Sequence, residues 1–217
     1  MTESTETSPG PPTDPVSGNG ATGSRLHETA QWVGGHAWVE LRTFELLGRW
    51  ATTVDEPAAA ALLGRASRHH GWHAQLWHEQ LPSLRGLAPE DLVAAPDAGW
   101  ADAVEALTVE PPATAVEALA VAYRVLVPRL VTRYDDHRAV VSPVMDAAVA
   151  RTLRIVHADA VADWLAGEAL VQRLLVDRAA VERATARAAG IEVSFAGVVP
   201  TGGSRVVPSP LHADHSG

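Results

Sequence analysis

The chain contains no cysteine and no lysine among its 217 residues. The absence of cysteine excludes disulfides, thiolate metal sites, iron–sulfur clusters and cysteine nucleophiles. Any metal ion must therefore be bound by histidine, carboxylate or tyrosine side chains. All seventeen basic residues are arginine, and the net charge is −9. We see no basic patch of the kind that releases counterions from a phosphate backbone, so we expect no nucleic-acid partner.

The sequence also lacks the apolar segments that membranes and secretion require. It has no uninterrupted apolar run of about 18 residues, the length needed to span a bilayer. The N-terminal stretch MTESTETSPGPPTDPVSGNGATGS has no apolar core of a secretory signal. We therefore expect a cytoplasmic protein with no membrane partner. Hydrophobic residues make up 47% of the chain, which is enough to build the core of one domain.

Polar segments at both ends frame that domain. Residues 1–24 are rich in Ser, Thr, Pro and Gly and cannot bury enough apolar surface to offset the entropy of ordering, so they are predicted to be a disordered tail. Residues 25–189 are predicted to form the folded domain. Residues 190–217 return to Gly, Pro and Ser and are predicted to be loosely ordered, although their segment IEVSFAGVV is apolar enough to dock on a partner or on the domain.

The first half of the domain is predicted to be an antiparallel helix pair. In helix A, residues 26–54, apolar side chains recur at steps near 3.6 residues and predict a buried stripe of Val33, Ala37, Phe44, Leu47 and Ala51. Asp55, Glu56 and Pro57 then form a break in which Asp55 is the expected N-cap and Pro57 occupies the first turn of the next helix. Helix B, residues 57–81, follows at once. So short a loop makes the two helices antiparallel neighbours.

A second pair is predicted after a long connection. Residues 82–112 hold five prolines and are predicted to cross from one end of a bundle to the other, with a short helix near residues 100–107. Helix C is predicted over residues 113–139, with a bend at Pro128. The sequence Ser142–Pro143 is a helix start signal, and helix D is predicted to run from there to about residue 189. The fold class is therefore all-α.

A histidine-rich stretch in helix B faces a carboxylate in helix A. The stretch SRHHGWHAQLWHEQLP carries four histidines in ten positions, among them His70 and His73 at the i, i+3 spacing of one helix side. Glu40 lies on the apolar face of helix A, where a carboxylate is costly unless it is paired or coordinated. Glu40 lies fifteen residues before the break at position 55, and His70 lies fifteen residues after it. The two residues are therefore predicted to lie at the same height along the antiparallel helices, with position 55 as the pivot of the pair. His36 precedes Glu40 by one helical turn.

These side chains form the candidate metal site. Imidazole and carboxylate together suit iron, zinc or manganese better than calcium. A break near residue 141 places Tyr123 of helix C opposite Asp159 of helix D. Helix D contributes less clearly, because it is so rich in alanine that its buried face is poorly defined. The candidate ligands are accordingly Glu40, His70, His73, His36 and Asp159, and Tyr123 is the candidate catalytic residue, as a hydrogen-bond donor or redox group.

The alternative interpretation of the same residues requires no metal. Glu40 and His73 would then form a buried ion pair or hydrogen bond inside the bundle. His69 and His78 are expected on the solvent-exposed flanks of helix B. His137 lies near the end of helix C, where a cation is favoured by the helix dipole, and it too is expected to have no ligand role.

The predicted helix order and these residues resemble the ferritin-like superfamily of four-helix carboxylate proteins. The resemblance covers residues 26–185 and depends on two antiparallel pairs joined by a crossover, a mid-helix Glu in the first helix, and a spaced pair ending in His in the second, followed by LWHEQLP. In that family, a Glu from each of two helices and a Glu-x-x-His pair from each of the other two hold two iron or manganese ions. The resemblance implies a four-helix bundle with a long crossover between helices B and C.

Only part of the family's ligand set is matched by this chain. Glu40 matches the lone Glu of the first helix and His73 matches the His of the first pair, while His70 stands where that pair has Glu. In helix D, Asp159 stands where Glu is expected and Ala162 where His is expected. The nearest candidates for the lone acidic ligand of helix C are Glu117 and Tyr123, neither of which fits cleanly. A complete dinuclear site is therefore not expected.

Three functional hypotheses follow. The first is a ferritin-like oxidoreductase whose remodelled His and carboxylate site binds iron, or manganese or zinc, and acts on a small-molecule substrate that the sequence does not identify. The second is a metal-free ferritin-like scaffold that acts by binding a partner or a second copy of itself in a homo-oligomer. The third is a haem or other small-molecule pocket between the helices.

Overall fold

The computed structural model of the chain describes residues 19–83, 86 and 88–196, of which residues 19–24 are described by their backbone alone. The described residues contain no β-strand, so the predicted all-α class is confirmed. Their seven α-helices are α1 (Asn19–Thr53), α2 (Pro57–His78), α3 (Ala98–Val109), α4 (Ala115–Val121), α5 (Val127–Val140), α6 (Ala147–Leu174) and α7 (Arg178–Glu192). None of the described helices combines the length and the apolarity needed to cross a membrane.

Helices α1 and α2 pack against each other along much of their length. Side-chain contacts join Glu40 to His70 and the Phe44 carbonyl to Ser67, so residue numbers rise in one helix as they fall in the other. The predicted antiparallel pair is therefore confirmed. The N-cap between them is Glu56, whose carboxylate accepts from the Ala58 amide, and not the expected Asp55. Phe44, which was predicted on the buried stripe, is 40% exposed and packs over Gly71.

The predicted helix C is one rod interrupted in its middle. Helix α4 continues through a π-helical turn, Ala122–Leu126, directly into α5. Pro128 lies in the first turn of α5 and has no amide hydrogen to donate to the preceding turn. A π-helical turn is one of the ways in which a helix accommodates such a missing hydrogen bond. The predicted irregularity therefore lies just before Pro128.

The predicted helix D is wrong in both of its boundaries. Ser142 and Pro143 begin a turn, and the helix itself starts only at Ala147. It then ends at Leu174, and a separate helix, α7, starts after Asp177. The reason is local, because the Asp177 carboxylate accepts from the Ala180 amide and caps a new helix.

The helices at the two ends of the predicted domain extend beyond residues 25 and 189. Helix α1 begins at Asn19, within the stretch predicted as a disordered N-terminal tail, while residues 1–18 lie outside the described residues. At the other end, α7 reaches Glu192 and is followed by a 3₁₀ turn, Val193–Phe195, with Ile191 buried. The rest of the predicted C-terminal tail, residues 197–217, lies outside the described part of the chain.

Three further antiparallel contacts surround the interior. Asp135 of α5 pairs with His157 of α6, and Arg124 of the π-helical turn pairs with Glu168. On the other side, His69 and His73 of α2 contact Asp163 and Asp159 of α6. Helix α1 meets α5 through His36 with His137 and Glu40 with Tyr134. The four long elements of the fold are α1, α2, α6 and the continuous rod from α4 to α5. Each of them therefore has two antiparallel neighbours.

A close contact between Gly167 and Tyr123 gives a testable consequence of this packing. A Cβ atom at Gly167 would lie 2.1 Å from Cγ and Cδ1 of the buried Tyr123 ring. We expect Gly167→Ala to lower the free energy of unfolding by about 1–3 kcal/mol, because overpacking forces the ring or the backbone to move. Urea unfolding monitored by circular dichroism would measure this loss.

The matched control is Gly190→Ala in α7. No atom lies within 4 Å of a Cβ at Gly190, so this substitution should stabilise the protein by up to about 1 kcal/mol through helix propensity. Equal effects of the two substitutions would contradict the described contact between α6 and the Tyr123 ring.

Candidate metal centre

Glu40, His70 and His73 converge in the interior between α1 and α2. All three side chains are at most 1% exposed, and one potential ligand atom from each lies within 4.8 Å of the other two. Nδ1 of His70 is 2.5 Å from Oε2 of Glu40, and Nδ1 of His73 is 3.2 Å from Oε1. The predicted convergence of these three residues at one height is confirmed.

Tyr134 is the fourth member of the cluster. Its hydroxyl donates to Oε1 of Glu40 and accepts a 3.4 Å hydrogen bond from the Trp77 indole. The phenol is fully buried, and burial together with the nearby Glu40 carboxylate raises its pKa well above the ordinary value. Tyr134 therefore holds its proton and fixes one carboxylate oxygen of Glu40.

Asp159 reaches the cluster from α6. Its Oδ2 atom is 3.3 Å from Nε2 of His73, and its side chain is 40% exposed. Asp159 is therefore placed where it can orient the His73 ring, at the solvent-facing edge of the site. It is not one of the three residues whose ligand atoms lie within 4.8 Å of one another.

The Nδ1 atoms of both histidines face the Glu40 carboxylate. A carboxylate only accepts, so without a metal Nδ1 of His70 donates to Glu40, and Nε2 of His73 donates to Asp159. Nε2 of His70 is buried and makes no hydrogen bond among the described residues, and Nδ1 of His73 has the Glu40 oxygen 3.2 Å away. In neutral rings protonated at Nε2, both Nδ1 atoms carry lone pairs directed toward the carboxylate. Buried lone pairs beside a carboxylate form a donor set that fits a metal ion.

Charges within the cluster also favour a bound cation. Burial raises the pKa of Glu40, but the His70 and His73 imidazoles outweigh it and lower the pKa to about 2. Burial lowers the pKa of His73, but Glu40 and Asp159 outweigh it, and the net pKa lies above the ordinary value. Glu40 is therefore an anion at every physiological pH, and a proton or a metal ion competes for His73.

His36 does not join the three clustered ligands. Its Nε2 atom lies 3.0 Å from Nδ1 of His137, and its ring stacks on Trp77 at a centroid distance of 4.6 Å. The His137 ring stacks in turn on Trp32, with a centroid distance of 4.9 Å and an interplanar angle of 8°. The two histidines therefore belong to a buried aromatic column beside the candidate site.

Two expectations about individual residues are wrong. The Tyr123 ring packs on Gly167, not opposite Asp159, because the turn before α6 shifts the register of the second pair. His137, expected as a cation at a helix end, is only 2% exposed, and burial together with Arg133 lowers its pKa to about 4. Of the two predicted bystanders in α2, His78 is exposed, whereas His69 is half-buried and 2.7 Å from Asp163.

The buried histidine pair predicts acid sensitivity. Burial and Arg133 lower the pKa values of both His36 and His137 below the unfolded value of about 6.5. Their contribution to stability is therefore complete above pH 6.5 and is lost as the pH falls toward 4. For His137 alone we expect a loss of about 3 kcal/mol across this window. Glu40 does not offset it, because its contribution is lost only below about pH 4.5.

Urea unfolding at a series of pH values between 7 and 4 would measure this loss. His137→Gln should flatten the dependence of unfolding free energy on pH, whereas His78→Gln, at an exposed position, should leave it unchanged. The same pH dependence in the wild type and in His137→Gln would refute the assignment.

Comparisons with family models, curated proteins and solved structures gave no significant match for this chain.

Proposed function

We propose that this chain is a ferritin-like four-helix protein that binds one first-row transition metal ion, iron(II) in the first instance, and acts as an oxidoreductase. The observation that carries the proposal is the convergence of the buried Nδ1 atoms of His70 and His73 on the Glu40 carboxylate. Two imidazoles and one carboxylate are the protein ligands of non-haem iron(II) enzymes, in which the metal keeps open positions and activates oxygen.

The helix arrangement supports the ferritin-like part of the proposal. In that family, antiparallel pairs are joined by one long crossover. Here α1 and α2 form one pair, the rod from α4 to α5 forms the other with α6, and residues 79–114 connect them. Helix α1 is antiparallel to both α2 and α5, and helix α2 contacts α6. Helix α2 and the rod from α4 to α5 therefore run in the same direction.

The ligand set supports a mononuclear site. Helix α6 offers Asp159 where the family has Glu, and Ala162, where the family has His, is exposed. A second ion would have too few ligands. Asp159 is therefore assigned to orient His73 through Nε2, which leaves Nδ1 for the metal, and Tyr134 to hold Glu40.

The exposure of the surrounding residues indicates the side from which a small substrate would reach the metal site. Glu40, His70 and His73 are shielded from water, whereas Asp159 is 40% exposed at the seam between α2 and α6. A small substrate would approach from this seam. The buried Trp77 and Tyr134 close the opposite side of the cluster.

Oxygen consumption by the iron-loaded protein tests the proposed activity. With a reductant present, the Fe(II)-loaded wild type should consume dioxygen faster than the same concentration of Fe(II) in buffer or with His73→Gln. If one equivalent of iron binds but oxygen consumption is unchanged, the proposed oxidoreductase activity is wrong. The proposed metal site would then remain without that activity.

The second candidate function is a metal-free scaffold that acts by association. The observation that favours it is that both oxygens of Glu40 already have hydrogen-bond donors, His70 and Tyr134. A buried carboxylate paired in this way is stable without a metal. This function predicts that the protein takes up no iron, zinc or manganese.

A further inference from the structure

A groove between α2 and α6 is separate from the metal centre. It has a volume of about 640 Å³ and is open to solvent along one side. Its floor is formed by small and aliphatic side chains, including Ala61 and Leu62 of α2 and Ala169 and Leu170 of α6. Volumes of about 300–1,000 Å³ are typical of sites for small organic ligands. The floor therefore suits the apolar part of such a molecule.

Three arginine side chains line the rim of the groove around this apolar floor. They are Arg65 and Arg68 of α2 and Arg173 of α6. Nη1 of Arg173 donates to the Ala169 carbonyl at 3.3 Å, which places the guanidinium back along α6 and over the groove. The rim of the groove is thus cationic, although the protein as a whole carries a net charge of −9.

The charges of these arginines are largely uncompensated. Arg65 approaches Asp163 at 3.8 Å, but that carboxylate is already engaged by His69 at 2.7 Å. Within residues 19–83, 86 and 88–196, no carboxylate oxygen lies within 4 Å of Arg68 or Arg173. Apart from the Arg173 Nη1 bond to Ala169, their donors are therefore available for an external acceptor, and guanidinium groups bind carboxylate and phosphate through paired hydrogen bonds.

We propose that this groove binds a small anionic amphiphile, with a carboxylate or phosphate head held by Arg68 and Arg173 and a short alkyl body lying on the Ala61, Leu62 and Leu170 side chains. The head requires the cationic rim, and the body requires the apolar floor. Neither an inorganic anion nor an alkyl chain with a cationic head satisfies both. The proposal does not depend on the metal centre, since none of its residues contacts Glu40, His70 or His73 among the described contacts.

Isothermal titration calorimetry with decanoate and with decyl phosphate tests the proposal. The wild type should bind at least one of them in a 1:1 complex, and the preferred probe identifies the head group. Decyltrimethylammonium, which has the same alkyl chain and a cationic head, and inorganic phosphate, which has no chain, should each bind at least tenfold more weakly.

Two sets of variants locate the site. Arg68→Gln combined with Arg173→Gln should weaken binding at least tenfold, and so should Ala61→Phe, which fills the floor. The matched control is Arg151→Gln combined with Arg154→Gln, which removes the same charge from exposed positions outside the groove and should change the affinity less than twofold.

Four results would overturn the proposal. They are no binding of either anionic probe, equal binding of the cationic probe or of inorganic phosphate, equal weakening by the control pair, or unchanged binding by Ala61→Phe. Circular dichroism at each titration temperature would show that every variant is folded, so that a lost affinity is a property of the groove.

Discussion

Glu40→Ala should lower the free energy of unfolding of the chelator-treated protein by about 3–5 kcal/mol, because it removes one member of a buried, charged hydrogen-bond cluster. The substitution leaves the Nδ1 donor of His70 and the Tyr134 hydroxyl without acceptors in a region that water does not reach. For a protein of this size, that loss corresponds to a fall in melting temperature on the order of 10 °C.

The control for this prediction lies on the same helix. Glu45 is 40% exposed and pairs with Arg42 three residues away, and such surface pairs contribute about 0–1 kcal/mol. Glu45→Ala should therefore have little effect on thermal unfolding. Similar melting temperatures for Glu40→Ala and Glu45→Ala would show that the cluster at Glu40 is not the buried, charged group described.

The second large effect concerns metal affinity, which should fall in a graded order. Glu40→Gln, His70→Gln and His73→Gln each remove one of three ligands and should weaken metal binding more than about 100-fold. Asp159→Asn only removes the group that orients His73, and its effect should lie between about 10- and 100-fold. Gln at position 40 keeps the side-chain volume, so metal binding can be measured on a folded protein.

His78→Gln is the control for this series. His78 belongs to the same helix and the same histidine-rich stretch, but its side chain is exposed. Competition titration against a metal-sensitive dye would give the relative affinities. An effect of His78→Gln equal to that of His73→Gln, or no effect of the three ligand substitutions, would exclude the assigned site.

The first helix pair could be predicted well from sequence, because its geometry depends on one short break. Asp55, Glu56 and Pro57 fix the pivot to within a residue, and helices on either side rise by the same amount per residue. Counting outward from that pivot placed Glu40 beside His70, as the structure has it. A buried acidic residue on an apolar stripe was the decisive signal.

The second pair could not be placed in the same way. The sequence predicts Ser142 as the N-cap and Pro143 in the first turn of the helix, but these residues lie in a turn that delays the start of α6 until Ala147. The pairs Asp135 with His157 and Arg124 with Glu168 show a pivot near residue 146 instead of 141. Because of this difference, the tyrosine that lies opposite Asp159 is Tyr134 and not Tyr123, which is eleven residues earlier in the chain.

His137 was missed for a different reason. Its sequence neighbours are charged and it lies in the last turn of its helix, which together indicate solvent exposure. The seam between α1 and α5 nevertheless buries it against Trp32 and His36. Helix periodicity identifies the face of a residue, but it does not show how far along the helix a neighbouring helix extends.

Metal titration of the wild-type protein tests the central assignment most directly. The protein is freed of metal with a chelator, titrated with Fe(II) without oxygen and, in parallel, with Co(II) and Zn(II), and its bound metal is measured after gel filtration. We predict one equivalent of bound metal per chain, abolished by His73→Gln and retained by His78→Gln. Bound metal below about a tenth of an equivalent for all three ions would contradict the metal centre and leave the metal-free scaffold.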